Sequence, residues 1–328
     1  MNIIKEKSKI TKSLRFVSNV FLMGHKNLDL DALGSQVALY KALEQKKKKC
    51  YIIIDDINHE LGVKKVLKEL DNHIRIINSN EINNYMSEKT KKNLLIILDT
   101  NKKELVQNPN ILDKIDRKLI IDHHDTGKTT IKKALMIIDK KVSSTCEMIA
   151  NLIEYYDINL DSYCATLLLA GIVLDTNNYM LNTQTETFYT SYYLAASGAS
   201  ASKVQYLLKQ DIKDYTERQK LLSDIETINE KIAITKGSTK TIYRKEDLAK
   251  TADTLLYFNN IEASFVIGKI DKNIVGISAR SLGSYNIVKI LEKLGGGGDN
   301  YNAAAQLNNI TIQEAEKKLK EIIKKEGE

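Results

Sequence analysis

Two histidines and four aspartates stand in or at the ends of apolar runs in the first 175 residues of this chain. His25, Asp29 and Asp31 follow one another in Gly24-His25-Lys26-Asn27-Leu28-Asp29-Leu30-Asp31. Asp99 closes Leu94-Leu95-Ile96-Ile97-Leu98, His123 follows Ile120-Ile121-Asp122, and Asp175 closes Gly171-Ile172-Val173-Leu174. An apolar run that stops at a carboxylate or imidazole reads as a buried strand delivering a ligand to its carboxyl end, where open α/β sheets bind their ligands. Six such donors, all oxygen or nitrogen, exceed the needs of one cation with open positions. They suit two cations sharing a carboxylate. The chemistry they point to is metal-assisted hydrolysis.

Each piece also has a plainer reading. In an extended loop, residues 29 and 31 point to opposite sides, so each could face a different cation; Asp31 could instead cap the helix that follows. Asp99 ends a fully apolar run, where an unpaired carboxylate is costly to bury. As a bridge it would be held by two cations. In Asp122-His123-His124, adjacent imidazoles can divide the labour, one on metal and the other on a phosphate. His59 and His73 lie in polar contexts and read as surface residues. Gly127-Lys128-Thr129 resembles the end of a phosphate loop, but the glycine required five positions earlier is Asp122, which rules that motif out.

These residues need a scaffold, and the pattern around them alternates strand and helix, hence α/β. Strands are expected at 20–23, 51–54, 74–77, 94–98 and 119–121, with a helix over 32–43. Helices then dominate at 144–155, 163–173, 185–197 and 201–209. The charged stretch 214–230 reads as a linker helix. Beyond it come strands at 232–235, 263–270 and 274–279 and helices at 245–257, 285–294 and 312–325. The expected division is a parallel-sheet catalytic domain over 1–213, the linker, and a smaller α/β domain over 231–328 across a cleft.

Composition agrees with a globular enzyme. The chain has 328 residues, 43% hydrophobic and 28% charged, which suits two domains with their own cores. No apolar stretch approaches the length of a membrane span, and the start lacks the core of a signal peptide, so a cytoplasmic location is expected. Cys50, Cys146 and Cys164 are three in number, far apart and in apolar contexts, which favours reduced core thiols. The net charge of +7 favours an anionic ligand without indicating nucleic acid.

Taken together, Gly24-His25-Lys26-x-x-Asp29-x-Asp31-Ala32-x-Gly34-Ser35, Leu98-Asp99-Thr100, Ile121-Asp122-His123-His124 and Gly171-Ile172-x-x-Asp175-Thr176 resemble the DHH phosphoesterase superfamily in order and spacing. The resemblance implies that His25, Asp29 and Asp99 take one metal and that Asp31, Asp99, His123 and Asp175 take the other. Asp122 would orient His123, and His124 would contact the scissile phosphate. It also implies two divalent cations, manganese in this family. In the second half, Gly276-Ile277-Ser278-Ala279-Arg280-Ser281 and Leu294-Gly295-Gly296-Gly297-Gly298 with Asn302-Ala303-Ala304-Ala305-Gln306-Leu307 resemble the DHH-associated C-terminal domain of GdpP-type cyclic-di-AMP phosphodiesterases.

That narrower resemblance implies hydrolysis of cyclic-di-AMP to 5′-pApA and onward to AMP. Ser278, Arg280, Gly296, Gly297, Gly298 and Asp299 would be the substrate contacts, Asp299 standing where the family has histidine. Read without the family, the four glycines could turn their amides into an anion nest ahead of a helix at Asn302, and Arg280 offers a fork suited to phosphate. Partners implied are a cyclic or short linear dinucleotide, with no duplex nucleic acid and no membrane contact; a homodimer stays open. GdpP-type proteins carry membrane helices and sensory domains ahead of this unit, so the chain is either a stand-alone version or a catalytic fragment. The competing functions are a nanoRNase or pAp phosphatase, a RecJ-like exonuclease, and a catalytically weakened cyclic-dinucleotide-binding module.

Overall fold

The structure, a computed structural model, describes residues 6–56, 59–70, 72–298 and 300–326. By internal contacts the chain divides between Lys209 and Gln210 into two units.

The first unit opens with helix α1 (Lys7–Leu14). It then runs through β1 (Asn19–Met23), α2 (Leu30–Gln45), β2 (Lys49–Ile53), α3 (Leu61–Glu69), β3 (Ile76–Ile77) and β4 (Asn93–Leu98). After these come α4 (Ile111–Lys114), β5 (Lys118–Asp122), β6 (Leu135–Ile138), α5 (Thr145–Tyr155), α6 (Ser162–Asp175), α7 (Thr185–Ala196) and α8 (Ala201–Leu208). The six strands form one parallel sheet in the order β3-β2-β1-β4-β5-β6. Because β1 sits between β2 and β4, the chain leaves the middle of the sheet in opposite directions, which opens a crevice at the carboxyl ends of β1 and β4.

Both faces of this sheet are covered, and the strand sequences show why. In β1, Val20 and Leu22 enter one buried cluster while Phe21 and Met23 enter another. In β4, Leu94, Ile96 and Leu98 go one way and Leu95 and Ile97 the other. Successive strand side chains point to opposite faces, so an unbroken apolar run marks a strand buried on both. Helix α6 is apolar around its whole circumference, as expected of a helix inside a core. It packs against α2 at Gly171, where an added Cβ would lie 2.9 Å from Asp31 Oδ1 and 2.5 Å from Cys146 Sγ. Cys50, Cys146 and Cys164 are buried free thiols, as their contexts suggested.

The second unit contains α9 (Ile212–Gln219), β7 (Ile225–Ile228), β8 (Ile232–Lys236), α10 (Lys245–Leu255), β9 (Ala263–Asp271) and β10 (Ile274–Ser281). It ends with α11 (Ile287–Glu292), β11 (Gly297–Gly298), β12 (Asn302–Asn308) and α12 (Ile312–Glu326). Its sheet runs β11-β12-β10-β9-β8-β7, parallel only between β8 and β9. One face buries Phe265 and Ile277 with Ile290 and Leu291 of α11 and Leu319 of α12. The other buries Val266 under Leu248, Ala252 and Leu255 of α10.

Two expected elements take a different form. The stretch 214–230 is not one linker helix: α9 ends at Gln219, a 3-10 turn follows over 220–222, and β7 begins at Ile225. Asn302 does not start a helix but begins β12, because Ala303 and Ala305 alternate into the core between β11 and β10. Strand β6, absent from the sequence reading, pairs Leu135–Ile138 with the edge of β5.

Candidate metal centre

Three of the four deliveries come from the places the topology predicts. His25 follows β1, Asp99 follows β4, and Asp122 ends β5 with His123 and His124 behind it. Asp175 differs: it is the last residue of helix α6 rather than the end of a strand, the apolar run before it being helical. Asp29 and Asp31 sit at the start of α2. It is Asp29 and not Asp31 that caps this helix, accepting from Ala32 N at 2.9 Å.

The side chains converge on Asp99. Its Oδ2 lies 3.3 Å from His25 Nε2, whose ring is also 3.6 Å from Asp29 Oδ2. Its Oδ1 lies 3.4 Å from His123 Nε2, which in turn is 3.2 Å from Asp175 Oδ2 and 4.0 Å from Asp31 Oδ2. Potential ligand atoms within 4.8 Å of one another fall into groups His25-Asp29-Asp99, Asp31-His123-Asp175 and Asp99-His123-His124. His123 Nε2 is buried without a hydrogen-bond partner although carboxylates surround it. A buried nitrogen aimed at several oxygens without bonding any of them is the arrangement a cation completes.

Electrostatics say the same. Burial lowers the His25 pKa, but Asp29 and Asp99 overcome that and raise it to about 12. His123 is likewise raised, its burial outweighed by Asp175 and Asp99. Burial, together with the charges of Asp99 and Asp175, pushes Asp31 well above the carboxylate range. Asp175 is pushed up to about 6 by burial, with His123 opposing. Asp99 goes the other way: burial would raise it, yet the imidazoles of His123 and His25 beside it hold it well below its ordinary value. Without cations these carboxylates lie too close together for all of them to ionise readily, the charge imbalance that two divalent cations would relieve.

Backbone and neighbouring side chains fix these groups. Asp99 adopts a left-handed conformation, φ 62°, directly after β4. His25 Nδ1 bonds the carbonyl of Lys26 at 2.6 Å, leaving Nε2 for the centre. Both oxygens of Asp31 accept from the first amides of α5, Thr145 N at 2.8 Å and Cys146 N at 2.7 Å. A helix N-terminus is suited to hold such a carboxylate. Thr145 Oγ1 also donates to Asp99 Oδ1 at 3.1 Å.

Asp122 does not orient His123 as expected. Its Oδ1 accepts from His124 N at 3.1 Å and meets His124 Nδ1 at 2.8 Å, because the chain turns directly after the strand and brings residue 124 back over it. Desolvation of the His124 ring lowers its pKa, but the bond to Asp122 together with the charges of Asp99 and Asp122 outweighs this and raises it. Asn101 holds the other Asp122 oxygen, Nδ2 to Oδ2 at 2.6 Å, and also donates to the carbonyl of His124 at 3.2 Å. Neither Asn101 nor Thr145 was foreseen. Nothing in a polar residue beside a motif tells which distant carboxylate it will meet. His59 and His73 belong to none of the ligand groups.

The second unit holds the other expected contacts. Ser278 pairs across the sheet with Ala304, which faces Gly297, while Arg280 pairs with Asn302. Ser278, Arg280 and Gly297 therefore share one face. Gly296, Gly297 and Gly298 do not form a nest ahead of a helix. Gly297 and Gly298 are strand β11, and a Cβ on Gly296 or Gly298 would lie 2.3 Å from Ala304 O or 2.1 Å from Asn302 O. Arg280 is not a bare fork: its Nε donates to Asp253 Oδ1 at 2.7 Å. Asp299 lies outside the described residues.

Comparison with known proteins follows this division. The DHH family, N-terminal domain, matches residues 19–172, and the DHHA1 domain matches residues 229–325. The cyclic-di-AMP phosphodiesterase GdpP of Geobacillus thermodenitrificans is 38% identical over 311 residues, covering 93% of this chain and 47% of that protein. The cyclic-di-AMP phosphodiesterase PdeA of Listeria monocytogenes is 36% identical over 304 residues, covering 92% of this chain and 46% of that protein. The chain thus spans about half the length of the curated relatives it matches. An exopolyphosphatase-related protein from Bacteroides fragilis shares the fold, with a TM-score of 0.80 at 19% identity over 98% of this chain and 96% of that one. The chain belongs to the DHH family, its first unit a DHH domain and its second a DHHA1 domain.

Proposed function

We propose that this chain is a two-metal phosphodiesterase that opens cyclic-di-AMP to linear 5′-pApA and carries pApA on to AMP. The observation that carries the reading is the division of Asp99: one oxygen faces His25 and the other faces His123. His25, Asp29 and Asp99 would hold one cation, and Asp31, Asp99, His123 and Asp175 the other. An all oxygen-and-imidazole donor set without thiolate suits Mn2+. When bound, two such cations supply Lewis acidity at the phosphoryl oxygens and acidify water near neutral pH.

The protein's own groups do the rest. Asp122 holds His124 through Nδ1, so Nε2 is the nitrogen left to address a ligand, and the side chain is 52% exposed. We assign His124 Nε2–H to the scissile phosphate, where a charge-assisted bond strengthens as negative charge builds on the oxygens. His25, Asp29, Asp99, Lys102 and His124 help line a cavity of about 270 Å3. That is just below the range for small-molecule sites, about 300–1,000 Å3, enough for the reacting phosphate and part of a sugar. We assign Ser278, Arg280 and Gly296 to Gly298 of the second unit as further contacts to the dinucleotide.

The substrate assignment is supported by the activity named for the GdpP and PdeA relatives. The same chemistry acts on short linear dinucleotides, while duplex nucleic acid is not a substrate in this reading. No helix among the described residues is long and apolar enough to cross a membrane, and we place the reaction in the cytoplasm. Metal dependence tests the reading: EDTA should abolish turnover and Mn2+ should restore it better than Mg2+. Full activity in EDTA would refute it.

A further inference from the structure

Asp253 occupies a position that disfavours a carboxylate on two counts. It lies in the last turn of α10, where the partial negative charge of the helix end repels an anion. Its surroundings are also largely buried, and this raises its pKa even with a guanidinium beside it. Its described partner is Arg280, whose side chain is 14% exposed, at 2.7 Å between Nε and Oδ1. Arg280 Nη1 donates to the carbonyl of Ala279 at 3.0 Å. With Nε and one N–H of Nη1 engaged by described residues, the plane of the guanidinium is set, and its end, where Nη1 and Nη2 each present an N–H, is the part that can meet a ligand. Arg280 shares its sheet face with Ser278 and Gly297.

Resting on the reading that Arg280 contacts the dinucleotide, we propose that Asp253 is a positioning residue that locks the Arg280 fork in the orientation that receives a substrate phosphate. Arginine recognises phosphate through two parallel N–H bonds, so its value depends on the angle at which the fork is held. A flexible arginine would have to be ordered at the moment of binding, and Asp253 removes that cost beforehand.

Two other roles for the pair predict different results. If Asp253 acted only through its charge, removing it would leave Arg280 more attractive to an anion and tighten binding. If the pair only fastened α10 to β10, removing it would lower the melting temperature and leave substrate affinity alone.

The test uses the full chain with Mn2+ and compares Asp253→Asn, Arg280→Gln and the double variant on cyclic-di-AMP. Binding of pApA in EDTA is measured by calorimetry alongside. Asp253→Asn should raise KM and the pApA Kd about five-fold or more, with kcat falling less than KM rises, the pattern of lost binding rather than lost chemistry. The double variant should be no worse than Arg280→Gln alone, since both act through one contact. Arg280→Lys, which keeps the charge and can still meet Asp253, should weaken binding as much as Arg280→Gln. This variant keeps the question open to refutation if Asp253→Asn fails to fold. An unchanged or lower KM in folded Asp253→Asn, additive effects in the double variant, or wild-type affinity in Arg280→Lys would each overturn the proposal. A wild-type chain that binds pApA but leaves cyclic-di-AMP intact would instead refute the assigned function.

Discussion

Asp99 shows how much one residue is asked to do. It ends a buried strand, adopts a left-handed backbone conformation, φ 62°, and places its two oxygens against two different histidines. Asparagine tolerates the same backbone region, so Asp99→Asn should fold normally. It removes the shared negative charge and should leave less than about a tenth of wild-type turnover, a barrier increase above roughly 1.4 kcal/mol. Steady-state rates with metal content measured in parallel decide this, and an active, metal-loaded variant would contradict the two-metal assignment. The six proposed ligands were legible as a cluster because an acid or imidazole beside an apolar run is chemically conspicuous. Asp122 was legible as a member of the site but not in its target, since His123 and His124 are neighbours and only the turn after β5 decides which one folds back onto it.

The protons in the metal-free site give a second residue-scale expectation. His25 has a folded pKa of about 12 against an ordinary 6.5. Its protonation therefore stabilises the fold fully below pH 6.5 and progressively less as pH rises toward the folded value. Asp175, at about 6 against 3.8, likewise stabilises the fold in its protonated form, an effect lost as pH climbs through 6. Asp99, held well below 3.8, has the opposite sign but is already ionised throughout this range. The metal-free protein should lose stability between pH 5.5 and pH 8. Cations replacing those protons should then raise the melting temperature more at pH 8 than at pH 5.5. An equal or larger rise at pH 5.5 would count against this.

Among elements, the contact between α2 and α6 matters most, because it brings Asp31 and Asp175 to the same point. Gly171 permits it: a methyl there would lie 2.9 Å from Asp31 Oδ1 and 2.5 Å from Cys146 Sγ. Gly171→Ala should destabilise the fold by about 1–3 kcal/mol through overpacking. It should also weaken metal binding, since the carboxylate it displaces is a proposed ligand. Denaturant melts and metal titration measure the two effects, and unchanged metal affinity would separate packing from the site.

Sequence periodicity gave the central strands and large helices of this unit well, because runs such as Leu94 to Leu98 are apolar on both faces. It failed where local pattern is weak. The charged stretch after Asp214 carries helix and strand in succession, and Asn302 to Asn308, rich in alanine, is a strand only because β10 and β11 flank it. The glycine run suggested freedom, whereas Gly296 and Gly298 serve close approach to β12.

At the scale of the whole molecule, a two-sided parallel sheet supplies the proposed metal ligands, and a mixed sheet supplies a face bearing Ser278, Gly297 and Arg280, whose Nε bonds Asp253. The two-body plan was readable from the restart of the strand pattern after residue 230, while the division itself falls earlier, after Lys209. What separates the proposed activity from the competing one on short linear substrates is whether the ring of a cyclic dinucleotide is opened first. The most direct measurement incubates the purified chain with Mn2+ and cyclic-di-AMP, then separately with pApA, and follows nucleotides by chromatography. Cyclic-di-AMP should disappear with pApA as its first product. Intact cyclic-di-AMP alongside rapid conversion of pApA to AMP would contradict the account and make the chain a linear-dinucleotide hydrolase.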